Sequence, residues 1–202
     1  MFVKNIIYSE NLPEIWEEEV VLENPNEEKK WLFVFADKVP KTANFKIRLL
    51  GRGAKAEVLV AYLGRGADNT EMKITLIHDA EDTYGRVSAK AALFDESRFV
   101  LRGMLDITEK GKGSDSYLSA KGLMVSPKAR AEIYPYLEIK TDEVKASHGA
   151  SVGRIDDKSL FYLQSRGIAR LDAEKIILAG YFSDAAQEMP PLYAEKFFQP
   201  PH

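Results

Sequence analysis

From Trp31 onward, apolar residues fall on every second position, the period of a β-strand with one face buried. Phe45-x-Ile47-x-Leu49, Val58-x-Val60-x-Tyr62 and Met72-x-Ile74-x-Leu76 each set three apolar groups on one side. Val87-x-Ala89-x-Ala91-x-Leu93, Phe99-x-Leu101, Leu105-x-Ile107, Ile133-x-Pro135-x-Leu137-x-Ile139 and Val144-x-Ala146-x-His148-x-Ala150-x-Val152 continue the alternation. Polar or glycine-containing corners separate these runs, and no amphipathic helix intervenes. The predicted elements are many short strands at nearly even spacing. Residues 11–30 are charge-dense, with Trp16, Val20, Val21 and Leu22 as their few buriable groups. They read as a surface lead-in with one short strand over Glu18–Glu23, stopped by Asn24-Pro25-Asn26.

An internal repeat decides how the strands are joined. Leu50-Gly51-Arg52-Gly53-Ala54 recurs as Leu63-Gly64-Arg65-Gly66-Ala67, and Ile77-His78-Asp79-Ala80 reads as a degenerate third copy. A step of roughly 13 residues suits one strand and one corner, so a flattened coil holds about two such units. Asn-Gly and Asp-Gly hairpin signals are absent, which argues against an up-and-down barrel or sandwich. The fold class expected is mainly β, a parallel β-helix with about two strands per coil.

The texture changes after Gly153. Asp156 can cap a helix carrying Leu160, Phe161 and Leu163, with Gly167 as its C-terminal stop. Asp172 is expected to cap a second helix with Ile176, Ile177, Gly180, Tyr181 and Ala185 on one face, ended by Met189-Pro190-Pro191. Two helices would then close one end of the strand stack, as the last rung of a solenoid requires. The expected organisation is a lead-in over 1–30, a β-helix over 31–153 and a helical region over 154–202.

Composition narrows the chemistry. Twenty-eight Lys and Arg against 31 Asp and Glu leave a net charge of −3, with no basic run to hold nucleic acid or an anionic membrane. The 202 residues include no cysteine, so disulfides, thiolate nucleophiles and thiolate metal sites are excluded for this chain alone. No signal-peptide core and no long apolar span is present, and the expected compartment is the cytoplasm. Gly51-x-Gly53-x-x-Ala56 formally matches a dinucleotide-binding fingerprint, but that chemistry needs a helix opening at the second glycine, and Glu57–Leu63 reads as a strand. The corner-glycine reading is preferred. Gly111-Lys112-Gly113-Ser114 lacks the spacing of a Walker loop and reads as a mobile loop. There is no Gly-x-Ser-x-Gly and no His-Glu-x-x-His, and His78, His148 and His202 are the only histidines. A polysaccharide enzyme on a β-helix frame would need a groove lined with paired acids or bases, and the sequence identifies none.

One segment carries more information. Lys145-Ala146-Ser147-His148-Gly149-Ala150-Ser151-Val152-Gly153-Arg154-Ile155-Asp156-Asp157 is followed by Leu160-Phe161-Tyr162-Leu163-Gln164-Ser165-Arg166-Gly167-Ile168. This run resembles the C-terminal signature of the SufB/SufD family, scaffold subunits of the SUF iron–sulfur cluster assembly machine. It is nearer to SufD, whose pattern reads about Cys-Ser-His-Gly-Ala-Thr-Val-Gly before the aspartates and Leu-Phe-Tyr-Leu-x-Ser-Arg-Gly after them. The likeness covers about residues 117–187.

That resemblance implies a right-handed parallel β-helix followed by a helical domain, and a scaffold in place of a catalyst. It implies pairing with a SufB-like chain through the β-helices and docking of a SufC-like ATPase on the helices. His148 falls at the SufD histidine associated with the shared interface, where a neutral ring nitrogen can bind iron together with a partner chain. Phe161, Tyr162, Arg166 and Gly167 are the expected partner-binding residues, although by base rate Phe161 and Tyr162 fit helix-core packing. Ala146 stands where the motif has cysteine, so no cofactor is expected to be held tightly by this chain alone, only iron or a transient iron–sulfur cluster at a shared interface. The alternative is a stand-alone structural homodimer that has lost cluster chemistry.

Overall fold

Strands whose side chains alternate, joined by corners that return the chain in the same direction, stack into coils. The computed structural model describes residues 3–36, 38–189 and 194. Eleven strands among them run β1 Val3–Tyr8, β2 Ile15–Leu22, β3 Glu28–Phe35, β4 Thr42–Leu49, β5 Lys55–Gly64, β6 Asn69–His78, β7 Tyr84–Leu93, β8 Arg98–Ile107, β9 Asp115–Met124, β10 Arg130–Ile139 and β11 Lys145–Arg154. The odd-numbered strands form one sheet in the order β1-β3-β5-β7-β9-β11, and the even-numbered ones a second in the order β10-β8-β6-β4-β2. Every pairing is parallel, and strands two apart in sequence are neighbours. The result is a two-strand-per-coil parallel β-helix of about five turns.

The register explains the repeat. Glu28 pairs with Lys55 and Lys55 with Tyr84, so the coil advances by 27 and then 29 residues, two of the units read from the sequence. The two Leu-Gly-Arg-Gly-Ala copies sit at opposite corners, between β4 and β5 and between β5 and β6. At the first corner, Asn26, Gly53, Asp82 and Gly113 all have positive φ (57, 69, 58 and 78°). Each N–H donates to a carbonyl of the next coil, from Asn26 to Arg52, Gly53 to Glu81, Asp82 to Lys112 and Gly113 to Glu143. A Cβ at Gly53 would strike the Asn26 side chain, and one at Gly113 the Asp82 side chain. Only glycine meets both demands there. Gly51-x-Gly53-x-x-Ala56 is therefore a corner, as expected. Gly111–Ser114 is not a mobile loop: Gly113 belongs to the same stack, and Ser114 is buried with its Oγ 2.7 Å from Thr83 Oγ1.

Facing inner rows make the core. Ala43, Phe45, Ile47 and Leu49 of β4 are all at most 2% exposed, as the alternation requires. Aromatic rings fill the first coils, where Trp31, Phe33, Phe35 and Phe45 are buried, and smaller groups such as Ala89, Ala91, Gly103 and Ala120 line the later ones. The lead-in reading of the N-terminal residues needs correction. Residues 3–22 supply β1 and β2 in place of one short strand, because Trp16, Val20 and Leu22 are enough to pack β2 against the core, with Glu17 and Glu19 on its outer face and Glu18 left exposed on the inner row.

Three helices follow, not two: α1 Asp157–Ser165, α2 Arg170–Tyr181 and α3 Ser183–Glu188. Asp156 caps α1, accepting from the Lys158 and Ser159 N–H groups, and Gly167 follows with φ +83°. Asp172 does not cap α2. The cap position is Ala169, and Asp172 lies in the first turn, bound to Lys175 at 3.1 Å. Nor do α2 and α3 close the last rung. They run along the outer face of the odd-numbered sheet, burying Leu178, Phe182, Ala185 and Met189 against Leu32, Val34, Ala61, Leu63 and Ala92. The reason is visible in β3, β5 and β7, which carry apolar residues on their outer side as well, so that face needs cover. Lys90 Nζ reaches Asp184 and the Tyr181 carbonyl, both at 2.8 Å, and Tyr181 Oη donates to the Lys121 carbonyl at 2.7 Å. Pro190, Pro191 and His202 lie outside the described residues.

Candidate functional site

Since the helices cover a face, the last rung is left open. β11 is paired on one side by β9 and β10 by β8, and neither has a strand on its other edge among the described residues. Register places Ala146, His148, Ala150 and Val152 of β11 beside Ser116, Leu118, Ala120 and Gly122 of β9. Ser116, Leu118 and Ala120 are at most 2% exposed, so this is the inner row. One coil further on, the same row is uncovered: His148 and Ala150 are exposed, and Val152 is 44% exposed. On β10 the inner row ends in Ile139, 43% exposed. The outer row of β11 is Lys145, Ser147, Gly149, Ser151 and Gly153, small beyond its first member. The rung is thus a flat mouth with free backbone groups along both edges, apolar at Ile139 and Val152, with one imidazole at its centre.

His148 has no hydrogen bond or ion pair among the described residues, which leaves both ring nitrogens open to an incoming ligand. Among those residues no group of three or more His, Cys, Asp or Glu is arranged to hold a metal ion. Ala146 is on the same row, two residues away, and brings no donor. The ligand set of the chain alone therefore does not fit an iron–sulfur cluster; it offers a single nitrogen. The other described histidine is different in kind. His78 is fully buried, with Nδ1 2.8 Å from Thr83 Oγ1 and Nε2 2.9 Å from Ser116 Oγ. Burial, with the Arg86 cation nearby, holds its pKa down at about 4.

A second surface lies on the helices. Phe161 is 74% exposed, Tyr162 58%, Leu171 66% and Ile176 49%. Core packing of Phe161 and Tyr162, and of Ile176 on the buried face of α2, is overturned: α1 buries Leu160, and α2 buries Ala173 and Leu178. Arg166 lies over the Tyr162 ring with its guanidinium carbon 5.4 Å from the centroid. Gly167 serves the backbone, through its positive φ. The structure therefore puts Tyr162 and Arg166 together, leaves Phe161 exposed at the adjacent position of α1, and places His148 on the end rung. Leu171 was not legible as a surface residue, because apolar spacing on a helix does not say which face is covered.

Comparison with known proteins matches residues 28–181 to the SUF system FeS cluster assembly, SufBD core domain. The chain belongs to the SufBD family. Over 147 residues it is 32% identical to an iron-sulfur cluster assembly SufBD family protein of Mycobacterium leprae, covering 72% of this chain and 17% of that protein. A SufBD family protein of Staphylococcus saprophyticus is 31% identical over 72% of this chain and 31% of its own length. The iron-sulfur cluster assembly protein SufD of Bacillus subtilis is 30% identical over 142 residues, 70% of this chain and 32% of SufD. The chain thus spans a third or less of these SufBD relatives. The matched region contains both the open rung and the α1–α2 face. No described helix is long and apolar enough to cross a membrane.

Proposed function

We propose that this chain is a SufD-like, non-catalytic scaffold subunit of iron–sulfur cluster assembly, working in the cytoplasm. It pairs through β10 and β11 with a SufB-like chain and docks a SufC-like ATPase on Phe161, Tyr162 and Arg166. The observation that carries this reading is the open last rung with His148 on its inner row. A rung in register with core residues, yet uncovered, is built to receive another chain's strands. His148 then becomes one ligand at a shared interface, where the partner supplies the thiolates that this chain lacks, and iron passes through as cargo.

Anaerobic co-expression with the SufB-like and SufC-like proteins of the same source, followed by iron and sulfide analysis, tests this. A ternary complex is expected, and His148→Ala is expected to keep the complex while losing most of its iron. Equal iron in both preparations would remove His148 from the site, and recovery of the chain without either protein would end the scaffold reading.

Phe161→Ala and Arg166→Ala are expected to release the ATPase while changing folding stability by no more than about 0.5 kcal/mol, as for exposed positions generally. Retention of the ATPase by both variants, in a pull-down at matched protein concentration, would move docking elsewhere. The second reading, a homodimer without cluster chemistry, is favoured by one observation: Ala146 faces inward where a cysteine would stand, and the chain has no other. Its mark is a metal-free pair of identical chains even when both partners are present.

A further inference from the structure

The two mouths of the solenoid are unlike. At the C-terminal mouth the inner row of β11 is open and carries no carboxylate: it runs Ala146, His148, Ala150 and Val152 and ends in Arg154 at the rim. At the N-terminal mouth, register puts Trp16, Glu18, Val20 and Leu22 of β2 on the inner row, beside Ala43, Phe45, Ile47 and Leu49. Glu18 therefore heads the row that runs through Phe45, Ile74, Gly103 and Pro135. Phe45 and Ile74 are buried on it, whereas Glu18 is exposed at the mouth. Its neighbours Glu17 and Glu19 sit on the outer face and serve the sheet, bonding Asn44 at 2.7 Å and Lys46 at 3.2 Å. Glu18 has no such partner among the described residues.

Independently, the same mouth is plugged. The Trp16 ring stacks on Phe45 at 5.8 Å and lies 5.4 Å from Phe33, and Leu12 also packs on the core there. Among the described residues the C-terminal rung has no ring over it, and Ile139 and Val152 are 43% and 44% exposed.

We propose that Glu18, with Trp16 beside it, is a guard that makes end-to-end association of this chain one-sided. A further coil laid on β2 would bury an unpaired carboxylate against Phe45, which inward-pointing charges on edge strands are known to forbid. The C-terminal rung buries no carboxylate, and its one cation, Arg154, stands at the end of the row with its guanidinium on the Pro127 carbonyl at 3.4 Å, where its long stem can keep the charge in water. Copies therefore join C-terminal mouth to C-terminal mouth, an arrangement that closes at two, and do not run head to tail into fibres. The number two rests on the pairing reading given above; the guard itself does not.

The test is the mass of Glu18→Val, with Glu18→Gln as the polar control, by light scattering over a wide concentration range. Both are made in the native chain and in an Ile139→Asp, Val152→Asp background that charges the other mouth. Folding is checked by circular dichroism. Glu18→Val is expected to at least double the weight-average mass of its parent in both backgrounds: pairs grow into longer chains, and the doubly charged monomer becomes a dimer. Glu18→Gln is expected to stay at the parental mass. Unchanged mass for a folded Glu18→Val overturns the guard, as do head-to-tail polymers of the native chain. If the background variant still pairs while Glu18→Val adds mass, the guard stands and the pairing face is wrong.

Discussion

Acidification from neutrality to about pH 4 is expected to remove about 3 kcal/mol of folding stability through one side chain, His78. Its ring is fully buried between Thr83 and Ser116. Loss of hydration, and secondarily the positive charge of Arg86, bring its pKa from 6.5 to about 4, with Asp115 opposing. Above about pH 6.5 the imidazole is neutral in folded and unfolded chains alike, and stability does not depend on it. Between about 6.5 and 4 the unfolded chain binds the proton and the folded one does not, so stability falls as pH falls. The difference of about 2.5 units, at 1.36 kcal/mol each, sets the size. Urea unfolding at a series of pH values should show the native protein losing this amount relative to His78→Gln, which keeps a hydrogen-bonding group but no titration. Parallel pH curves for the two proteins would refute the assignment.

Phe45→Ala is expected to cost about 3–5 kcal/mol, the range for deleting a buried aromatic ring. The Phe45 ring meets Phe33 at 4.9 Å, Trp31 at 5.4 Å and Trp16 at 5.8 Å, and the residue is 2% exposed. The consequence is more than a cavity. Trp16 plugs the N-terminal mouth through these contacts, so its fluorescence should report a more solvated indole in the variant. Phe45→Leu, which refills most of the volume, should recover more than half of the loss. A shift in the urea midpoint equivalent to less than about 1 kcal/mol, well short of the usual range, would mean that the first coils are not the stability centre that their aromatic packing implies.

The strands β4 to β8, β10 and β11 are readable in the chain because alternation is local: Phe45, Ile47 and Leu49 share a face whatever lies beyond them, whereas β9 escapes because its inner row of Ser116, Leu118, Ala120 and Gly122 holds a single large apolar group. The two-unit coil is readable for the same reason, since each Leu-Gly-Arg-Gly-Ala copy marks one corner. The stop at Gly167 and the cap at Asp156 are also local, set by backbone hydrogen bonds within a few residues. Other features escape such reading. Asp172 is as good a capping residue as any, yet the cap position falls on Ala169 because the packing of α2 on the sheet sets where the helix begins. Residues 3–22 look too polar for the solenoid, but β2 needs inward groups only at alternate positions, and a neighbouring strand supplies the rest of the burial.

The site divides along the same line. The residue types of the motif, His148 and the Phe161–Gly167 run, together with the absence of cysteine, stand in the amino-acid order and point to the family that residues 28–181 match. Which mouth is open does not stand there. An apolar residue such as Val152 or Phe161 has the same preference for burial wherever it occurs, and only the path of α2 and α3 decides that the outer face of the sheet is covered while the last rung and the α1 aromatics are not. Burial is a property of what comes to lie against a side chain, and among the described residues nothing lies against the open edge of β11 or the α1 aromatics. The local pattern therefore determines strands, corners and coil length, while tertiary packing decides that His148 faces out of an open end and that Glu18 heads the inner row at the other.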